Sequence, residues 1–274
     1  MSRKIGIIGL GFLGQSLKKY LIAKKGIKPY CFDKKGIGSE QEVNKADIVF
    51  ICVNTPFDDK KKNIDLSYVE SAIRVLNGEK IIVIRSTVPP GTTEFFQKKF
   101  NQHKFVFSPE FLRAATPYKD FTNPSRQIIG FTKKSKYIAK GILSLLPKAP
   151  KEYTKIIPAN IAELVKYAAN IVLATKVALG SKIFDFSKKL GINYNEIKYL
   201  VSADKRISPY GLEIMYEGFR GYNGNCFPKD VRTLIALGKK LGVNVKWLED
   251  MDNENIALLK KQGLSPNYGH PEHK

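Results

Sequence analysis

Ile5-Gly6-Ile7-Ile8-Gly9-Leu10-Gly11-Phe12-Leu13-Gly14 is a strand-like apolar run that meets glycines at the spacing G-x-G-x-x-G and continues into an amphipathic helical pattern. A strand before and a helix after is the context that a dinucleotide fingerprint requires. Gly9, Gly11 and Gly14 permit a tight turn and close approach of a pyrophosphate, and the helix that opens at Phe12 and Leu13 offers its free amides to the phosphates. Asp33 closes the second strand at the expected distance, where its carboxylate can accept bonds from the adenosine ribose hydroxyls. An acid there disfavours a 2′-phosphate, so the cofactor expected is NAD rather than NADP. The same turn also suits an α/β unit that binds no cofactor.

Working outward, strand and helix alternate over the first part of the chain. Strands are expected over 4–9, 28–33, 47–53, 81–85, 105–108 and 127–131, with helices from about Leu13 and near Leu66. Alternation of this kind implies a parallel sheet covered by helices on both faces. After Lys155-Ile156-Ile157-Pro158 the texture changes, because 159–190 lacks proline and repeats its apolar residues at helical spacing. Further helices are expected over 195–203, 230–241 and 245–261, and 263–274 has no periodicity. The fold class is therefore α/β: a Rossmann-like doubly wound parallel sheet over 1–157, an all-helical domain on a long spine helix over 158–262, and a disordered tail over 263–274.

The chain has 274 residues, 43% of them hydrophobic, and no apolar run as long as a membrane span. Its start leads straight into a strand without the pattern of a signal peptide, so a cytoplasmic protein is expected. The net charge of +21 attracts anions in general, but lysine pairs such as Lys18-Lys19 and the run Lys60-Lys61-Lys62 are scattered in the manner of solvated helix faces. No nucleic-acid module accompanies the charge. Cys31, Cys52 and Cys226 are spaced for neither a disulfide framework nor a zinc knuckle, and the scattered histidines make no metal site beyond an adventitious pair at His270 and His273.

Candidate chemistry concentrates in Gly221-Tyr222-Asn223-Gly224-Asn225-Cys226-Phe227-Pro228-Lys229-Asp230. A thiol in a glycine-lined loop, ahead of a proline that can start a helix and beside the Lys229 ammonium, has the setting of a nucleophile. A small buried cysteine in a tight turn is the plainer reading. Asp230 either caps the following helix or positions a water. Lys166 and Asn170 lie four apart on the long helix, so they share one face and can present an ammonium and an amide to a substrate oxygen. Arg85-Ser86-Thr87-Val88-Pro89-Pro90-Gly91 and Ser108-Pro109-Glu110-Phe111-Leu112-Arg113 each end a strand at the ligand-binding side of such sheets. Thr87 can bond a water or substrate, and Glu110 is a candidate general base.

Taken in order with Val53-Asn54-Thr55-Pro56, these segments resemble the UDP-glucose/GDP-mannose dehydrogenase family over roughly residues 3–261. The resemblance implies oxidation of a sugar primary alcohol to a carboxylate in two hydride transfers to NAD, with a nucleotide sugar such as UDP-glucose as substrate. It implies that Cys226 traps the aldehyde as a thiohemiacetal that becomes a thioester. Lys166, with a water held by Asp230 and Thr87, would assist the first oxidation, while Asn170 orients the sugar and Glu110 assists hydrolysis. Thr55 and Lys229 would join the cofactor site; Phe111, Leu112, Arg113 and Gly224 would line the sugar site. Arg206 would reach the partner subunit's site in a homodimer assembled through the long helix.

Departures from the family pattern keep other readings in play. Ala114 stands where the family usually has Glu, Asn223 replaces a glycine before the cysteine loop, and the family's third, nucleotide-binding domain has no counterpart in this sequence. The alternatives are a catalytically impaired NAD-binding dimeric protein, one half of a split enzyme, and a two-domain hydroxyacid dehydrogenase relative in which Cys226 is dispensable.

Overall fold

The computed structural model describes residues 3–215 and 218–266, so the predicted tail is seen only to Pro266, and residues 267–274, with His270 and His273, lie outside the described residues. The chain forms two compact units. One runs to Thr55 and resumes over Asp65–Lys166; the other takes Pro56–Ile64 and everything from Tyr167 onward. The division falls two turns inside the long helix rather than at 157/158.

The first unit is a mixed sheet of eight strands: β1 (Ile5–Ile8), β2 (Tyr30–Asp33), β3 (Ile37–Gly38), β4 (Ile48–Ile51), β7 (Ile81–Ile84), β8 (Lys104–Phe107), β9 (Gln127–Phe131) and β10 (Thr154–Pro158). Their order is β10-β9-β8-β7-β4-β1-β2-β3. Strand β4 shows why the sheet is covered twice. Ile48 and Phe50 pack into one apolar cluster with Leu17 and Leu21 of α1 (Phe12–Lys25), Phe121 of α5 (Pro117–Thr122) and Ile142 of α6 (Ala139–Leu145). Val49 and Ile51 pack into the other with Ile73 of α3 (Ser67–Arg74), Phe96 of α4 (Thr92–Lys99) and Ala162 of α7 (Ala159–Leu190). Between β2 and β4, α2 (Glu40–Val43) adds a single turn capped by Ser39.

The sheet is not wholly parallel. Strands β1, β2, β4, β7 and β8 pair parallel, but β9 runs antiparallel to β8, β10 follows β9, and β3 turns back on β2. The connection from β8 to β9 lays its one helix, α5, against α1, with Tyr20 and Phe121 edge to face, instead of carrying the chain back along β8. An antiparallel edge on a parallel sheet leaves both strands as continuous apolar runs, so their direction is invisible to periodicity.

In the second unit, α7 continues past Tyr167 and is joined by α9 (Phe227–Lys240) and α10 (Lys246–Lys261) around Ile171, Ala174, Tyr222 and Val231, while α8 (Tyr194–Val201) sets Tyr194 edge to face with Phe184 of α7. Gly180 interrupts the apolar pattern of α7 because Gly211, at φ +85°, lays its carbonyl where a Cβ would stand. The unit is not all-helical. Strands β5 (Phe57–Asp58) and β6 (Asn63–Ile64) form a hairpin that packs on α9. Its turn holds Lys60-Lys61-Lys62, which therefore sits on no helix, with Asp58 accepting from the Lys60 and Lys61 amides. Among the described residues no helix is long and apolar enough to cross a membrane.

Within the first unit, Glu163 of α7 caps α4 from a distance. Helix α4 has no side-chain cap of its own, and the fully buried Glu163 carboxylate accepts from Gly91 N (2.6 Å), Thr93 N (2.8 Å) and Thr93 Oγ1 (2.6 Å). Burial outweighs these donors and pushes its pKa up to about 7. Between the ordinary carboxylate range and that value the folded protein keeps a proton the unfolded chain has released, so stability falls as pH rises through the window. Glu163→Gln is expected to flatten the loss by about 2 kcal/mol between pH 5 and 7.5, read from melting curves of both proteins. Equal pH slopes would disprove it.

Candidate functional site

At the head of α1 the glycines have separate tasks. Gly9, at φ +90°, lies so close to β4 that a Cβ would stand 2.7 Å from the Cys52 carbonyl oxygen, and a Cβ on Gly14 would run into the Gly9 carbonyl. Those two glycines are required by the protein's own packing. A Cβ on Gly11, the N-cap, meets nothing within 4 Å. The helix opens with no side-chain cap and no acidic residue in its first turn, and Phe12 is exposed beside it while Leu13 packs into the core below. The positive end of a helix and open space over Gly11 fit the diphosphate of a dinucleotide.

Asp33 sits at the end of β2, facing this turn. Its Oδ2 accepts from Leu10 N (2.6 Å) and its Oδ1 from Lys35 N (2.9 Å). The carboxylate thus braces the glycine turn, which the sequence alone does not reveal, and each oxygen retains a lone pair for a ribose hydroxyl.

The ends of β4, β7 and β8 gather the next group. Thr55 is buried and donates to the Thr87 carbonyl (2.8 Å), tying the two loops together. Glu110 pairs with the buried guanidinium of Arg85, and its other oxygen accepts from Phe111 N (2.8 Å). Over the Phe111 ring lie the Arg126 guanidinium, 3.7 Å from the centroid, and the Lys166 ammonium, 5.4 Å away. Leu112 is half-buried next to it. Arg113 turns to Asp120, which accepts from both its backbone N–H and its guanidinium, and this pairing holds the Asp120 pKa down at about 2. The Cys52 thiol, pushed up to about 12 by burial, is an inert core group. Arg85 and Arg126 are the members that residue patterns miss; a charge directly after the apolar strand Ile81–Ile84 is the available signal for Arg85.

In the second unit Cys226 is the N-cap of α9 and is exposed, with Phe227 and Pro228 starting the helix. Asp230 lies within the first turn and is not the cap. Its carboxylate is fully buried, taking a bond from Asn170 Nδ2 (2.5 Å) and one from Lys229 Nζ (2.5 Å). Lys229 is therefore committed to Asp230 rather than to the thiol, and the positive charge at Cys226 is that of the helix end. Gly224, at φ +84°, shapes the turn just before it. Arg206 is exposed on a loop after α8, with its guanidinium folded onto Asp204.

Residues 35–144 match the NAD-binding domain of the UDP-glucose/GDP-mannose dehydrogenase family, and residues 160–257 match its central domain. The chain belongs to this family. It is 33% identical over 226 residues to the UDP-glucose 6-dehydrogenase TuaD of Bacillus subtilis, covering 78% of this chain and 47% of that one. With the UDP-glucose 6-dehydrogenase of Rickettsia conorii it shares 34% identity over 225 residues, 78% of this chain and 50% of the other. The structure of a UDP-glucose dehydrogenase from Pyrobaculum islandicum superposes with a TM-score of 0.77 at 25% identity, over 96% of this chain and 71% of that one. The chain spans about half the length of the curated relatives it matches. The glycine turn at 9–14 precedes the segment matched to the family's NAD-binding domain, so its assignment rests on its own geometry.

The glycine tasks are separable by experiment. Gly14→Ala should destabilise the fold by about 2 kcal/mol, because the methyl group has no room. Gly11→Ala should leave the melting temperature near that of the wild type and weaken NAD about tenfold in calorimetric titration, by crowding the phosphates. Wild-type NAD affinity in Gly11→Ala would remove the cofactor from this turn.

Proposed function

We propose that this chain is an NAD-dependent nucleotide-sugar dehydrogenase of the UDP-glucose 6-dehydrogenase type, converting a sugar primary alcohol to a carboxylate with Cys226 as nucleophile. The observation that carries the reading is an exposed thiol at the head of α9, above the fully buried Asp230 carboxylate and its bonds from Asn170 and Lys229, in a chain that holds both matched family domains. NAD, when bound, supplies the hydride acceptor for both oxidations. The remaining work falls to side chains.

The alcohol becomes an aldehyde by losing a hydride and its hydroxyl proton, which passes to a water, while the Lys166 ammonium holds the substrate oxygen. Cys226 Sγ adds to the aldehyde carbon, and the carbonyl oxygen takes up a proton to give a thiohemiacetal. Loss of a second hydride and a proton leaves a thioester; water then breaks the C–S bond, giving the carboxylate and freeing the thiol. Glu110 assists that hydrolysis, since each oxygen retains a lone pair beyond the bonds from Arg85 and Phe111. Asn170 retains a second N–H and its carbonyl for the sugar, while Asp230 fixes its orientation. Thr87 is assigned to a water or the substrate, and Thr55 and Lys229 are assigned to NAD. Phe111, Leu112, Arg113 and Gly224 are assigned to the sugar.

The functional unit in this reading is a homodimer. Val172, Leu179, Phe186 and Leu190 repeat along α7 at intervals of seven, seven and four, and all are exposed. Such a stripe suits a second copy of the same helix, and Arg206 would serve the partner's site. Leu179→Glu with Phe186→Glu is expected to convert a dimer into a monomer in sedimentation, with helical content retained. A double variant that sediments like the wild type would refute the helix-mediated dimer.

The deciding experiment counts NADH formed per sugar consumed over a panel of UDP- and GDP-sugars. Roughly two NADH per sugar, with carboxylate formation lowered about a thousandfold or more in Cys226→Ala, is expected for a thioester route. Activity retained in Cys226→Ser would favour a hydroxyacid dehydrogenase relative. No reduction with any sugar in folded protein would favour one half of a split enzyme or an impaired NAD-binding protein, the latter a reading that Ala114 supports.

A further inference from the structure

The segment leading to Cys226 is held by side-chain amides of α10. Gln262, just beyond the end of that helix, accepts from Arg220 N (2.9 Å) and donates to Arg220 O (3.0 Å). Two turns earlier Asn255 accepts from Tyr222 N (2.9 Å) and donates to Tyr222 O (2.8 Å). A primary amide carries the same donor and acceptor as a peptide group, so each side chain pairs with a backbone residue as a neighbouring strand would. Residues 255 and 262, seven apart, fall on one face of the helical path.

Gly221 lies between the two clamps at φ +88°, and a Cβ there would stand 2.5 Å from Asn255 Oδ1. Only glycine admits the amide at that distance. Further ties fix the same segment. The Arg220 guanidinium reaches α7 at Asp185 Oδ1 (2.7 Å) and Ser181 O (3.0 Å). The Tyr222 hydroxyl donates to Asp252 Oδ1 (2.8 Å), whose other oxygen accepts from Arg232 of α9 (3.0 Å). Asn223, the residue that replaces a family glycine, donates to Ser265 O (3.2 Å). After these ties the chain is open: Gly224 has no neighbour within 4 Å of a Cβ, and the thiol follows two residues later.

We infer that Asn255 and Gln262 are positioning residues for Cys226, with the α10 face acting as a surrogate strand edge that sets where the thiol is presented. The assignment rests on the reading of Cys226 as nucleophile, yet its test requires no turnover. The rate of Cys226 alkylation by iodoacetamide, followed site by site by mass spectrometry, is compared in wild type, Gln262→Ala and Asn255→Ala. Loss of the clamp at exposed Gln262 is expected to change the rate of Cys226 alkylation about fivefold, the factor that corresponds to one lost hydrogen bond, as the exposed thiol leaves the setting that the clamp gives it at the head of α9. Rates at Cys31 and Cys52 and the melting temperature should be unchanged. Gln262→Glu and Asn255→Asp, which keep the acceptor and lose the donor, should fall between wild type and the alanine variants.

An unchanged Cys226 rate in both alanine variants would overturn the inference. Equal acceleration at all three cysteines would overturn it too, by reporting general loosening. In protein that turns over, kcat is expected to fall with the KM for NAD unchanged; a KM change alone counts against positioning. Failure of the dehydrogenase reading shows as absent NADH formation and leaves the alkylation comparison intact.

Discussion

Beneath the first turn of α9 lies a carboxylate with no access to water, and the second unit is arranged around the need to compensate it. Burying such a group without partners costs several kcal/mol, far more than the surrounding apolar contacts of one side chain return. Asp230 meets this demand with an amide from α7 and the ammonium of its own neighbour. The arrangement works in only one register of α9 on α7, the one that sets Asn170 opposite Asp230. Register of α9 in turn fixes Cys226 at its head, so the exposed thiol inherits its position from a buried contact one helical turn away.

The first unit uses the same device twice. Glu163 joins the start of α7 to the head of α4, and Arg85 joins the end of β7 to the loop after β8. Both bring polar groups together across long sequence separations at the ends of regular elements, where backbone groups lack partners of their own. The apolar clusters on the two faces of the sheet make the unit compact; the polar links decide where its loops end up. Asp33 does this at closest range, holding the glycine turn by the Leu10 amide.

Local features are legible in the residues themselves. The glycine turn, the strands on either side of it, the proline-free α7 and the loop around Cys226 each announce themselves within a dozen residues, by periodicity or by a turn residue that nothing else replaces. The antiparallel entry of β9 is not legible, since a buried strand reads the same in either direction. Nor is the residence of Pro56–Ile64 in the second unit, because a two-residue strand has no pattern to read. Among candidate site residues, the sequence singles out Cys226, Asp230, Asn170 and Glu110 but not what binds them. The partnership of Glu110 with Arg85, and the engagement of Lys229 by Asp230 instead of the thiol, depend on side-chain directions that spacing does not encode. Asn255 and Gln262 look like ordinary polar residues of a surface helix until the backbone they pair with is in place.

The β5–β6 hairpin leaves the first unit after Thr55, folds onto α9 and returns at Asp65, so the chain passes between the units at three points. The two units are consequently not cassettes. A single recombination joint in α7 would pair the second unit of one ancestor with the hairpin of another, leaving α9 covered by a foreign strand pair. Exchange of either unit between relatives demands a compensating exchange of nine residues more than a hundred positions upstream, which ties the inheritance of the nucleotide half to that of the thiol half.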